Sequence, residues 1–129
     1  MSEPLHPTAG YEHVTVVEAG PTAYLAGQCP LDAEENVVGV GDLDRQIEQV
    51  AANCLAALAS VGATPEDAVR SVVYVVSTDS GEVGRTWHKL ADHQELGPAF
   101  KAASTVVGVT ALGYRDQRVE VDLTARLHV

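Results

Sequence analysis

Cys29 follows Gly27-Gln28 and precedes Pro30 at the end of an apolar run, so a thiol stands where a strand gives way to a loop. Beside a histidine such a thiol becomes a nucleophile, and His13, at the head of the preceding run, is the candidate base. Without that pairing Cys29 is a small, partly buried side chain. Cys54 falls among apolar residues and reads as core. His88 and Asp92 stand at i and i+4 with Glu95 one turn on, a spacing that can hold a divalent ion. The chain carries neither His-Glu-x-x-His nor Cys-x-x-Cys, and a solvated helix face accounts for the three, so no metal is expected. Gln46, Gln49 and Asn53 share one helical stripe. Amides there are either solvated or tie down loop backbone, since they donate and accept without charge. Glu120 sits amid alternating residues on their polar side. A carboxylate there is a general acid or base if partly buried, and a surface or interface group otherwise. A Gly-rich phosphate loop, a Ser-His-Asp order and a dinucleotide fingerprint are all missing, so no cofactor is expected.

The elements that must position these residues follow from periodicity. Val14–Glu18 and Thr22–Ala26 flank Gly20-Pro21 and read as a hairpin. Residues 31–41 read as a loop with a short strand at Val37-Val38. Ile47, Val50, Ala51, Cys54, Leu58 and Val61 recur at the helical spacing, predicting a helix over 42–60, with Asp42 or Asp44 at its start and Gly62 as its stop. Thr64-Pro65-Glu66-Asp67 predicts a capped single turn. Residues 69–77 and 103–111 predict strands, and 82–96 a second helix with Val83, Trp87, Leu90 and Ala91 on one face. Over 117–127, Val119, Val121, Leu123, Ala125 and Leu127 alternate with Arg118, Glu120, Asp122, Thr124 and Arg126, a strand with one buried face. The fold class is therefore α+β, one β-sheet with two α-helices packed on one face. The opposite face must meet solvent or another subunit.

Composition agrees. The chain has 129 residues, 46% of them apolar, which suits one domain (1–129) behind an irregular arm (1–10). Two cysteines are too few for a disulfide framework, and both are expected as free thiols. A secretory signal and a membrane-spanning run are not found, so a cytoplasmic location and no membrane partner are expected. Eighteen acidic against eight scattered basic residues give a net charge of −10, which repels phosphate backbones and argues against nucleic-acid partners.

The motifs, taken in order, resemble a known family. Tyr24-Leu25-Ala26-Gly27-Gln28-Cys29-Pro30-Leu31-Asp32 is similar to a Ser-Gly-Gln-x-Pro signature after a strand. Gln46, Gln49 and Asn53, followed by Leu58 and Gly62-Ala63, match a Gln-x-x-Gln-x-x-x-Asn helix. Residues 72–76 fit the family's third strand, and 119–125 its acid-bearing last strand. The chain is thereby identified as a member of the Rid family of enamine/imine deaminases, over residues 10–127. The resemblance implies a chorismate-mutase-like fold, a homotrimer, and clefts between subunits that hold a small carboxylate ligand. Within that pattern Glu120 is the water-orienting acid, and Ala26, Gly27 and Gln28 are the turn beside the ligand; in an enzyme of this kind Thr105 or His13 would assist. Tyr11, His13 and Trp87 are implied ligand contacts. Two positions depart: the family's serine is Ala26 here, and the arginine that grips the carboxylate is Ala103. Alanine offers neither charge nor donor, so the usual clamp is lost and an altered substrate is implied; Lys101 and Arg85 are cations nearby in sequence.

Two functions remain open at this level. One is a hydrolase of imines, enamines or related C–N metabolites; the other is a trimer that binds a small metabolite without turning it over. An endoribonuclease or translation-inhibitor role, names also used in the family, fits poorly with the charge. Release of ammonia from 2-aminoacrylate separates the first two.

Overall fold

The computed structural model describes residues 4–128; of the N-terminal arm, Met1, Ser2 and Glu3 lie outside the described residues, and 4–10 are irregular. Helix α1 (Leu43–Ser60) forms where the apolar period places it. Asp42 is its N-cap, its carboxylate accepting the Arg45 N–H at 3.1 Å. At the other end Ala63 N donates to Leu58 O at 2.9 Å and Gly62 N to Ala59 O at 3.0 Å, a Schellman closure with Gly62 at φ +73°. Ile47, Val50, Ala51, Cys54 and Leu58 are buried, as the stripe predicts. Val61 is not: the helix has ended, the period no longer governs it, and it is exposed.

The predicted turn at Thr64 is a short 3-10 helix, Pro65–Asp67, whose Asp67 carboxylate accepts the Thr64 N–H at 2.9 Å. It leads into the long strand Ala68–Val76. The second helix, α2, is Ser80–Ala91 rather than 82–96. It starts earlier because Asp79 caps it, accepting from Gly81 N at 3.0 Å. It stops earlier because the His93 ring intervenes: Nδ1 accepts the N–H groups of Glu95 and Leu96 at 3.2 and 3.1 Å. Glu95 therefore does not extend the face on which His88 and Asp92 stand.

In chain order the strands are β1 (Thr22–Tyr24), β2 (Ala68–Val76), β3 (Ala103–Val109) and β4 (Val119–Arg126), arranged β1-β4-β2-β3. β2 and β3 are parallel across the α2 crossover, and β4 runs antiparallel to both β1 and β2. Ser71, Val73 and Val75 of β2 and Val119, Val121, Leu123 and Ala125 of β4 face the helices and are buried with Leu58, Leu90 and Phe100. Arg70, Val72 and Tyr74 face the other way with Ala103, Thr105, Glu120 and Asp122, and all but exposed Thr105 are partly buried. Both helices lie on one face of a mixed sheet, a chorismate-mutase-like α+β fold.

The Val14–Glu18 half of the expected hairpin forms no strand. Thr15 Oγ1 accepts the Ala103 N–H at 2.9 Å, while Glu18 O and Ala19 O accept from Arg126 at 3.3 and 2.7 Å. The segment thus passes across strand ends, where no ladder is offered, and Val14, Val16 and Tyr24 are left exposed. Val37 likewise makes only an isolated bridge to Leu31.

Candidate functional site

Glu120 is the centre of a built cluster. Its Oε1 accepts from Gln117 Nε2 at 3.2 Å and from Cys29 Sγ at 3.3 Å. Its Oε2 has no protein donor among the described residues and lies against Gly27, where a Cβ would stand inside its van der Waals shell and 2.8 Å from Cδ. Only glycine leaves the carboxylate that room. Burial first, and the Glu120 carboxylate second, push the Cys29 thiol up to about 11. Near neutral pH it is a protonated donor to Glu120, not a thiolate. His13 does not meet it: its Nε2 is bonded to His6 O at 2.7 Å. Both cysteines are free.

The amide stripe of α1 holds the two chain segments that flank this carboxylate. Asn53 Nδ2 donates to Cys29 O and Leu31 O, both at 2.9 Å, and Gln49 Nε2 orients Asn53 through its Oδ1 at 3.1 Å. Gln46, fully buried, donates from Nε2 to Asp116 O at 2.9 Å and accepts Arg118 N–H on Oε1 at 2.8 Å. These amides thus tie loop backbone. Gln28 extends the sheet past β1, exchanging backbone bonds with Val121 at 2.7 and 3.1 Å, and its side chain donates to Ala26 O at 2.9 Å. Ala26, Gly27, Gln28 and Glu120 are therefore brought together. Gln117, which the alternating pattern casts only as the first residue of a strand, is a further member: it is buried, takes the Tyr114 N–H on Oε1, and aims Nε2 at Glu120.

A second group forms at the start of β3. Ala103 and Thr105 lie on the outer sheet face, opposite Arg70 and Val72 of β2. Arg70 Nη2 donates to Thr105 Oγ1 at 2.7 Å. The segment after the N-terminal arm joins here: Glu12 N donates to Lys101 O at 2.8 Å, and Thr15 meets Ala103. Tyr11 packs edge-on to Trp87, with ring centroids 5.6 Å apart, and His13 lies edge-on to Tyr11 at 6.2 Å. Trp87 itself is 6% exposed, behind Tyr11 and against Phe100. Arg85 is engaged with Asp79 on α2 at 3.7 Å.

The two groups do not meet within one chain. Thr105 is level with Val72, and Glu120 with Tyr74. One two-residue step along β2 and two strand spacings across it put their Cα atoms about 12 Å apart, and the Glu120 carboxylate leans further away, toward Gly27. Among the described residues no three His, Cys, Asp or Glu side chains gather as a metal site, and no helix is long and apolar enough to cross a membrane.

Known proteins share this architecture. The family model described as Endoribonuclease L-PSP matches residues 1–127. The chain is 32% identical over 115 residues to protein DfrA of Myxococcus xanthus, covering 89% of this chain and 83% of DfrA. Among solved structures it is similar to YyfB of the conserved Rid protein family from Yersinia pestis, at 31% identity and a TM-score of 0.82, over 98% of this chain and 95% of that one. YyfA of the same family and organism gives 26% and 0.68, over 94% and 90%. Rv2704 from Mycobacterium tuberculosis, of the YjgF/YER057c/UK114 family, gives 27% and 0.60, over 92% and 88%.

Proposed function

The chain belongs to the Rid family, whose model carries the description Endoribonuclease L-PSP, and from that premise we propose that it is a homotrimer whose inter-subunit clefts hydrolyse imines, enamines or related C–N metabolites. The observation that carries this reading is the state of Glu120: one carboxylate oxygen is pinned by Gln117 and Cys29, and the other is bare beside Gly27. A carboxylate held in this way can take a proton from water at a defined position.

In the proposed step, water adds its oxygen to the imine carbon while Glu120 Oε2 accepts a proton. The proton then passes to nitrogen, giving a carbinolamine; Glu120 next takes the carbinolamine hydroxyl proton and delivers it to the amine, the C–N bond breaks as the C=O forms, and a carbonyl compound and ammonia leave. An enamine enters by tautomerising to the imine. Gly27 keeps the approach to Oε2 open, and Ala26 and Gln28 form the wall beside it. Thr105 and Ala103 supply the other wall, with Tyr11 and His13 at its end; Trp87, buried in the core on the helix side of the sheet, supports Tyr11 from behind and does not reach this wall. A two- or three-carbon imino acid is too short to touch both groups in one chain. That separation supports a cleft in which Glu120 of one copy faces the β3 group of the next. The uncovered outer sheet face and the exposed Val14, Val16 and Tyr24 are surfaces such an assembly would bury.

Ala103 favours a second reading, a trimer that binds a metabolite without turnover, because it cannot grip a carboxylate. The family description points to RNA cleavage, but a chain of net charge −10 has a poor electrostatic footprint for RNA. The deciding experiment is ammonia release from freshly generated 2-aminoacrylate and from a neutral imine. Turnover of either, lost in Glu120→Gln, supports the hydrolase. Ammonia no faster than the uncatalysed rate from both refutes it.

A further inference from the structure

Ala103 brings no charge to the outer sheet face, but its register partner does. Arg70 pairs with Ala103 across the parallel β2–β3 ladder, and its guanidinium lies over β3. Nη1 donates to Ala103 O at 3.1 Å and to Ser71 O at 3.2 Å, and Nη2 to Thr105 Oγ1 at 2.7 Å. All three acceptors are neutral. Arg118 and Arg85, by contrast, face the carboxylates of Glu82 and Asp79 at 3.0 and 3.7 Å. Among the described residues no carboxylate comes within ion-pairing distance of Arg70, although Asp122 stands one diagonal position away on β4, opposite Val72.

A guanidinium has five N–H donors in a rigid fork. The three bonds hold that fork in place and leave Nε–H and one Nη2–H without a protein acceptor. The Nε/Nη2 edge is one on which a carboxylate binds through two parallel bonds. Alanine at 103 suits this arrangement, because a long side chain there would compete with the guanidinium for the surface of β3.

We propose that Arg70 is the anion-gripping residue of the cleft, holding the carboxylate of the ligand on its free guanidinium edge in the place where Ala103 offers nothing. This rests on the reading above, and it narrows the substrate to imines or enamines that carry a carboxylate. Arg70 and Glu120 then act on one ligand from different copies of the chain.

The test compares propanoate with propanamide, which share a carbon skeleton and differ in charge, by titration calorimetry on the full-length native protein and its variants. The native protein should bind propanoate at least tenfold more tightly, a difference of about 1.4 kcal/mol. Arg70→Gln should lose that preference and bind propanamide unchanged. Arg70→Lys, which keeps the charge without the fork, should retain part of it, and it decides the matter if the glutamine variant fails to fold. A preference that survives either substitution in full overturns the proposal, as does equal affinity of the native protein for both probes, or binding of neither at millimolar concentration. The underlying reading fails separately. If propanoate binding depends on Arg70 but no imine yields ammonia, Arg70 stands as a ligand-binding residue and the hydrolase does not. If 2-aminoacrylate is turned over with the same kcat/KM in Arg70→Gln, the hydrolase stands and Arg70 falls.

Discussion

Replacing Gly27 by alanine tests the Glu120 cluster more sharply than removing the acid itself. The added methyl would stand 2.8 Å from Glu120 Cδ and closer still to Oε2, so the carboxylate must retreat by roughly 1 Å to reach ordinary van der Waals distance. Its two bonds, at 3.2 and 3.3 Å, have little length to spare. Glu120 is only partly buried, so water can replace the lost partners, and the cost in stability should stay near ~1 kcal/mol, a few degrees in Tm. The site should suffer far more, since a 1 Å misplacement of a reacting group costs on the order of a hundredfold in rate. Cys29 reports the movement without any substrate. Its thiol stands at about 11, held up first by burial and then by Glu120. When the carboxylate retreats, that pKa should fall toward, but not below, the ordinary 9.0. Alkylation at pH 8 follows the thiolate fraction, so Cys29 should react several-fold faster in Gly27→Ala, and at most about a hundredfold faster. Mass spectrometry of the Cys29 peptide over a time course reads this directly. Native-like alkylation together with native-like ammonia release would refute the packing argument.

Gln46→Leu should cost about 2–4 kcal/mol, because Asp116 O and Arg118 N lose a buried partner; a fall of roughly ten degrees in Tm checks it. Alkaline stability should decline between pH 9 and 12. Burial raises Cys54 to about 12 and Cys29 to about 11 from 9.0, so above pH 9 the unfolded chain holds fewer protons than the folded one and stability drops as pH rises. Cys54→Val should flatten that decline in urea melts. Light scattering at micromolar concentration should give about 41 kDa, three times the 13.6 kDa chain, and a monomer mass would remove the inter-subunit cleft.

What the sequence makes legible depends on where each residue's constraint lies. Helix α1 and strand β4 are legible because one face of each is apolar at its own period, and local pattern suffices. The end of α2 is not, since the His93 ring closes the turn through contacts that no spacing announces. Val14–Glu18 has a strand's composition but crosses strand ends, so its conformation is decided by tertiary placement rather than propensity. Of the site, Glu120 and Gly27-Gln28 stand out by residue type and by family likeness, and the amide stripe by its period. Gln117 acts only through the loop that folds it back on Glu120. Arg70 is hidden for another reason: Val72, Tyr74 and Val76 share its outward face and Ser71 lies on the inward one, so the run 69–77 shows no polar alternation to reveal which way the arginine points.

Helix α1 also couples the site in time. Gln46 and Asn53 lie two turns apart on one rigid rod and grip the loops on either side of Glu120, so a slide of the helix along its axis carries both loops together and leaves the gap between them nearly constant. Only opening of the helix itself separates them. The Arg118 amide sits outside any strand, yet it is bonded to buried Gln46, and the carbonyl of the same residue accepts the Val76 N–H at 2.9 Å. Its hydrogen exchange should therefore be as slow as that of the α1 interior, and its protection would report the lifetime of the intact carboxylate site.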